Sequence, residues 1–114
     1  MINELEMIDS LALSENDKSE LLLAISDHLD WQFEREHLLL LQEKLNNYVN
    51  YILNEEYKDI YQEEIKSFQI IVFVKYQPRR KFVKLLTQFN KMLKKQIPDA
   101  SIEINYQLVE NEDE

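Results

Sequence analysis

The chain contains no glycine in 114 residues. Glycine alone adopts positive φ without steric cost and lets another group approach the backbone closely. Phosphate-cradling loops, dinucleotide fingerprints and nucleophile elbows depend on it, so those motifs are excluded. Tight turns must fall to Asn and Asp, which tolerate the left-handed region best among the other residues. Asn16-Asp17, Asn54 and Asp99 are the candidates. Cysteine is also absent, which removes disulfides, thiol chemistry and cysteine-type zinc sites.

Periodicity divides the chain into six elements. Leu5, Met7, Leu11 and Leu13 fall on one face of an extended segment, residues 5 to 13, with Asp9 out of pattern. A polar turn, Ser14 to Ser19, separates it from Glu20 to Ser26, which is apolar on both faces. The two read as a hairpin whose first strand is an edge and whose second lies inside a sheet. From about Phe33 the spacing becomes three and four through Leu38, Leu41, Leu45, Tyr48, Val49 and Ile52, which describes a helix with Asp30 as N-cap and Asn54 at its close. Residues 55 to 66 read as a helical turn or ordered loop. Phe68 to Tyr76 is the best strand and a central one, and Pro78 opens a second helix with a stripe of Phe82, Leu86, Phe89, Leu93 and Ile97. Pro98 ends it, and Ile102, Ile104, Tyr106 and Leu108 alternate with polar residues in a last strand.

The order β-β-α-β-α-β predicts an α+β two-layer sandwich: a four-stranded mixed sheet with both helices on one face, reached by right-handed crossovers. We expect one domain, residues 1–109, and a disordered acidic tail, 110–114. A hydrophobic content of 45% with 11% aromatics is globular despite a net charge of -9. No apolar run approaches the roughly 18 residues of a membrane span, and the first residues do not lead from basic to apolar. A soluble cytoplasmic protein without membrane association is expected.

Helices on one face leave the other bare. On the two inner strands that face carries Leu22 and Ala24, or instead Leu21, Leu23 and Ile25, together with Ile71 and Phe73. The four leucines 38–41 step ~100° each around a helix and cannot all meet one sheet, so Leu39 needs a second surface. Leu22, Ala24, Leu39, Ile71 and Phe73 are the candidate interface. A monomer rarely leaves so much apolar surface in water, so a homodimer is the expected consequence.

Both histidines and the only tryptophan lie where the second strand gives way to the first helix, in Asp27, His28, Asp30 and Trp31 with Glu36 and His37 behind them. Imidazoles among carboxylates suit a divalent ion or acid–base chemistry, making an enzyme centred on His28 and His37 the alternative. The spacing matches no ligand pattern, and a capped turn with one histidine packed under Trp31 accounts for the same residues. No catalytic residue, metal or cofactor is assigned on this basis.

Charge is segregated. Residues 1 to 65 hold 16 acids and 4 bases, residues 66 to 97 hold 9 bases and no acid, and residues 98 to 114 hold 6 acids. Arg80, Lys81, Lys84, Lys91, Lys94 and Lys95 form a basic ridge opposite the second helix's apolar stripe. Nucleic-acid binding is disfavoured, because that ridge lacks aromatic platforms and the overall field repels a polyanion. The acidic remainder suits a protein partner of basic character, as an immunity-type protein captures a toxin.

The string Ile25 to Trp31, then Glu36 to Asn46 and Tyr48, with Met7-Ile8-Asp9 before it and Lys75 to Pro78 after it, resembles the signature of a small bacterial domain-of-unknown-function family. The resemblance spans roughly residues 7 to 109. It implies the fold and a bacterial origin, with no catalytic assignment. The missing glycines depart from the family pattern before the second and third strands, which implies shifted loops there.

Overall fold

The computed structural model describes residues 1–109. Its elements are β1 (Ser10–Leu13), β2 (Glu20–Asp27), α1 (Glu34–Leu53), β3 (Ser67–Val74), α2 (Arg80–Gln96) and β4 (Ile102–Leu108), with short 3-10 turns at Glu56–Asp59 and Pro98–Ala100. The sheet runs β1-β2-β3-β4 in space. β1 is antiparallel to β2, whereas β2, β3 and β4 are mutually parallel. This is the α+β sandwich with a mixed four-stranded sheet that the periodicities predict. The tail expected to be disordered, 110–114, lies outside the described residues.

The pleat shows where the helices lie. Leu21, Leu23 and Ile25 on β2, Phe68, Ile70, Val72 and Val74 on β3, and Ile102 and Ile104 on β4 are all buried and share one core with residues of both helices. Successive side chains on a strand point to opposite faces, so those residues mark one covered face. Leu22, Ala24, Ile71 and Phe73 belong to the other, which settles the ambiguity on β2. There they are partly buried, not fully covered.

Three local expectations are corrected. β1 covers only residues 10–13 of the expected 5–13, because Asp9 turns inward and residues 1–9 form an irregular strap. Asp30 is not the N-cap of α1. Phe33 holds that position without a side-chain bond, and the Asp30 carboxylate instead accepts the Gln32 N–H at 3.0 Å. Positive φ occurs at Glu55 and Ser101 rather than at Asn54 or Asp99. In each case the chain finishes its helical turn first and reverses just after the anticipated residue. The Asn16-Asp17 turn needs no left-handed residue: the Asp17 carboxylate holds it by accepting the Ser19 N–H at 2.9 Å and hydroxyl at 2.6 Å.

Both sheet edges are protected. On β4 the Asn90 side chain donates to the Ile104 carbonyl at 2.9 Å and accepts the Ile104 N–H at 2.8 Å, satisfying a residue whose backbone groups face away from β3. On the other side, the Tyr61 hydroxyl donates to the Leu11 carbonyl at 3.3 Å. Beyond the start of β1, the strap continues along β2. Ile2 donates to the Ser26 carbonyl at 2.9 Å, and the Asp9 carboxylate accepts the Ser26 N–H at 2.8 Å. An open edge is a template for unwanted strand addition, and these contacts occupy one residue of β1, one of β4 and the end of β2 beyond β1.

Candidate functional site

The carboxyl end of β2 carries the polar joint. Asp27 is its last residue and His37 lies in the opening turn of α1, where His37 N–H reaches the Phe33 carbonyl at 3.0 Å. Their side chains meet with His37 Nε2 2.6 Å from Asp27 Oδ2, both almost wholly buried. His37 Nδ1 is 3.1 Å from the Asp30 carbonyl, and Asp27 Oδ1 accepts the Leu29 N–H at 3.2 Å.

These contacts fix the protons. A carbonyl oxygen only accepts, so Nδ1 carries a hydrogen. Nε2 faces a carboxylate oxygen, and two lone pairs would repel, so a proton lies between them. Whether that proton sits on nitrogen or oxygen, both ring nitrogens are engaged. Neither has a lone pair left for a metal ion or for abstracting a substrate proton.

Packing fixes the ring as well. Trp31 stacks on His37 with centroids 3.9 Å apart and planes 20° apart. The edge of Phe82, from α2, meets Trp31 at 5.6 Å, and Phe82 in turn meets Tyr106 of β4 at 5.4 Å. The joint is thereby keyed to the second helix and the last strand. The Trp31 indole N–H is buried without an acceptor among the described residues.

The structure brings together Asp27, the Asp30 main chain, Trp31 and His37. It leaves His28 and Glu36 exposed. A shallow depression of about 360 Å³ beside the ring is lined mainly by Leu29, Phe33 and Leu40. Among the described residues no three His, Asp or Glu side chains converge as metal ligands would.

A second buried centre, two turns along α1, escapes the sequence reading. Lys44 is wholly buried, and the three N–H groups of its ammonium are shared among four acceptors, the carbonyls of Met1 at 2.9 Å, Glu4, and Met7 at 2.8 Å, and Asp9 Oδ1 at 3.0 Å. Asp9 also receives the Met1 ammonium at 2.6 Å. Tyr48, one turn on, accepts the Asp9 N–H at 2.8 Å and donates to the Ala24 carbonyl. Burial opposes ionisation of Asp9, but hydrogen bonds from the Met1 ammonium, Ser26 and Lys44 outweigh it and hold the carboxyl below its ordinary range. Burial pushes the Tyr48 hydroxyl well above the usual tyrosine range.

The sequence carries two faint traces of it, neither of which names the partner: Asp9 breaks the alternation of its segment, and Lys44 interrupts the apolar stripe between Leu41 and Leu45. Opposite charges at two positions that each want an apolar residue are a pairing hint.

The candidate interface divides. Leu22, Ala24, Ile71 and Phe73 share the uncovered sheet face, with Ala24 opposite Ile71 in the β2–β3 register. Gln69, Glu103, Asn105 and Gln107 lie on the same face around them. Leu39 lies elsewhere, 55% exposed on α1.

Fold and joint together define a two-layer α+β domain whose buried polar groups clamp strand to helix. The chain belongs to the family of unknown function DUF6572, whose family model matches residues 1–110. No curated protein and no solved structure matches it. Among the described residues, no helix is long and apolar enough to cross a membrane.

Proposed function

We propose that the chain is a cytoplasmic, non-catalytic interaction protein that self-associates through the uncovered face of its sheet. The observation that carries this reading is the apolar centre of that face, Leu22, Ala24, Ile71 and Phe73, set among polar neighbours and covered by neither helix. An apolar centre with a polar rim is the composition of a protein interface. Protection of β1 and β4 at their edges directs association to the face and away from sheet extension. The engaged nitrogens of His37 weigh against catalysis at the joint.

Face-to-face packing of two copies about a two-fold axis would bury each patch against its twin. Sedimentation velocity at micromolar concentration is expected to give a dimer. Phe73→Lys, which places a charge in the centre of the patch, is expected to give a folded monomer. A wild-type protein that stays monomeric at these concentrations would sink the proposal.

A further inference from the structure

On the side of the molecule away from that face, α1 and α2 run alongside each other and leave a groove of about 500 Å³. Its apolar floor is Leu38, Leu39 and Leu85, and its charged rim is Arg35, Lys81 and Lys84 with Glu34 as the one acid. Leu39 is more than half exposed, although each of the leucines beside it in sequence is at least partly covered.

The rim charges are poorly placed for the fold itself. A helix N-terminus favours acids, yet α2 begins with Arg80 and Lys81, has no acid in its first turn, and continues to Lys84. Intramolecular compensation is slight: Lys81 comes only within 3.9 Å of Glu34, at an exposed position. Cations held where they disfavour their own helix, beside a leucine held in water, mark a surface shaped by something outside the chain.

We infer that this groove binds an acidic amphipathic peptide segment of another protein. Its apolar side chains would lie on Leu38, Leu39 and Leu85, and its carboxylates would meet Arg35, Lys81 and Lys84. Helix-in-groove recognition uses anchors spaced by three and four residues, which suits a trough between two helices. The aliphatic floor offers no ring on which a base could stack, so a nucleic acid fits it less well. The partner's sign is opposite to that expected from the chain's net charge, because the local field at the rim is positive.

The full chain would be used to select from a phage-displayed library of random peptides, with counter-selection on the Lys81→Glu/Lys84→Glu variant. The expected winners carry Asp and Glu between apolar residues spaced by three and four. A synthetic winner should bind Leu39→Ser at least about tenfold more weakly than wild type, a loss of about 1.4 kcal/mol. It should bind Phe73→Lys as tightly as wild type, which separates this groove from the sheet face. Circular dichroism of each variant checks that it is folded. Enrichment of basic or uncharged peptides, no enrichment, binding indifferent to Leu39, or tight binding of a single-stranded oligonucleotide at the same rim would each overturn the inference.

Discussion

The helix α1 holds two buried polar pairs on one side, seven residues apart, each joining a nitrogen base of the helix to an aspartate, and they differ in how far they reach. His37 pairs with Asp27, ten residues away in the sequence and next to it in the chain's path from strand to helix. Lys44 pairs with Asp9, thirty-five residues away, and gathers three carbonyls of the strap as well. One pair fixes a joint that the chain would have to make in any case. The other holds residues 1–9, which have little regular structure of their own, against the core. Burial of a polar pair therefore serves a local turn in one place and long-range closure in the other.

The largest effect is expected where reach and unsatisfied groups combine. Lys44→Met keeps the apolar stem but removes the cation that ties the strap to α1: Asp9 keeps the Met1 ammonium and the Ser26 N–H, while the Met7 carbonyl loses its partner and the strap loses four contacts at once, so the cost should be about 5 kcal/mol, the upper end for breaking a buried pair. Urea denaturation measures it, and hydrogen exchange should show the strap amides, Ile2 and Met7 among them, losing protection before the sheet. His37→Leu leaves one carboxylate that keeps its Leu29 N–H and an apolar side chain under Trp31, so about 3 kcal/mol is expected. Equal losses in the two variants would break the contrast between local and long-range pairs.

Acid sharpens it further. The folded-state pKa of Asp9 is depressed, so its contribution is complete above the ordinary carboxylate value, about 4, and disappears as pH falls through the lower folded value. The urea midpoint of the wild type should drop across that window. Asp9→Asn, already lacking the carboxylate, should show a shallower fall from a lower starting point. A wild-type curve as shallow as the variant's would mean that the strap is not held by this charge.

The contrast also explains what could be read from the sequence. β3, α2 and β4 were legible because each repeats its period without interruption over seven or more residues. The packing of a histidine under Trp31 was legible because the two sit close together in the chain, whereas His28 and Glu36, equally near, lie exposed. Lys44 was not legible, because nothing within ten residues of it shows that residues 1–9 fold back over it. The same strap shortened β1, since Asp9 looked like a flaw in a strand and is instead an anchor. Asn54 does close α1, but the left-handed residues fall just beyond the expected ones, at Glu55 and Ser101, because the tolerance of Asn and Asp for that conformation is only a preference. The division of the candidate interface was implicit in the expected layering, since Phe73 belongs to the bare sheet face and Leu39 to a helix on the other, but the two were grouped because both are surplus apolar residues.

A neutral contact separates charge from reach. Asn90 joins α2 to Ile104 across fourteen residues, with two hydrogen bonds and no net charge. Asn90→Ala should cost only about 1 kcal/mol, because removing the half-buried Asn90 side chain opens the sheet edge over buried Ile104 and lets water take the place of the amide. That water-accessible edge is also a ready strand template, so the variant should lose solubility or form elongated species on light scattering at high concentration while its urea midpoint hardly moves. Its binding of the selected acidic peptide should be unchanged, since Asn90 lies outside the residues that line the groove. A stability loss comparable to that of Lys44→Met would show that distance along the chain, and not buried charge, sets the energetic weight of these contacts. A small loss with new association would show that Asn90 chiefly keeps β4 from pairing with other molecules, while the two buried pairs of α1 add to the apolar core that joins the layers.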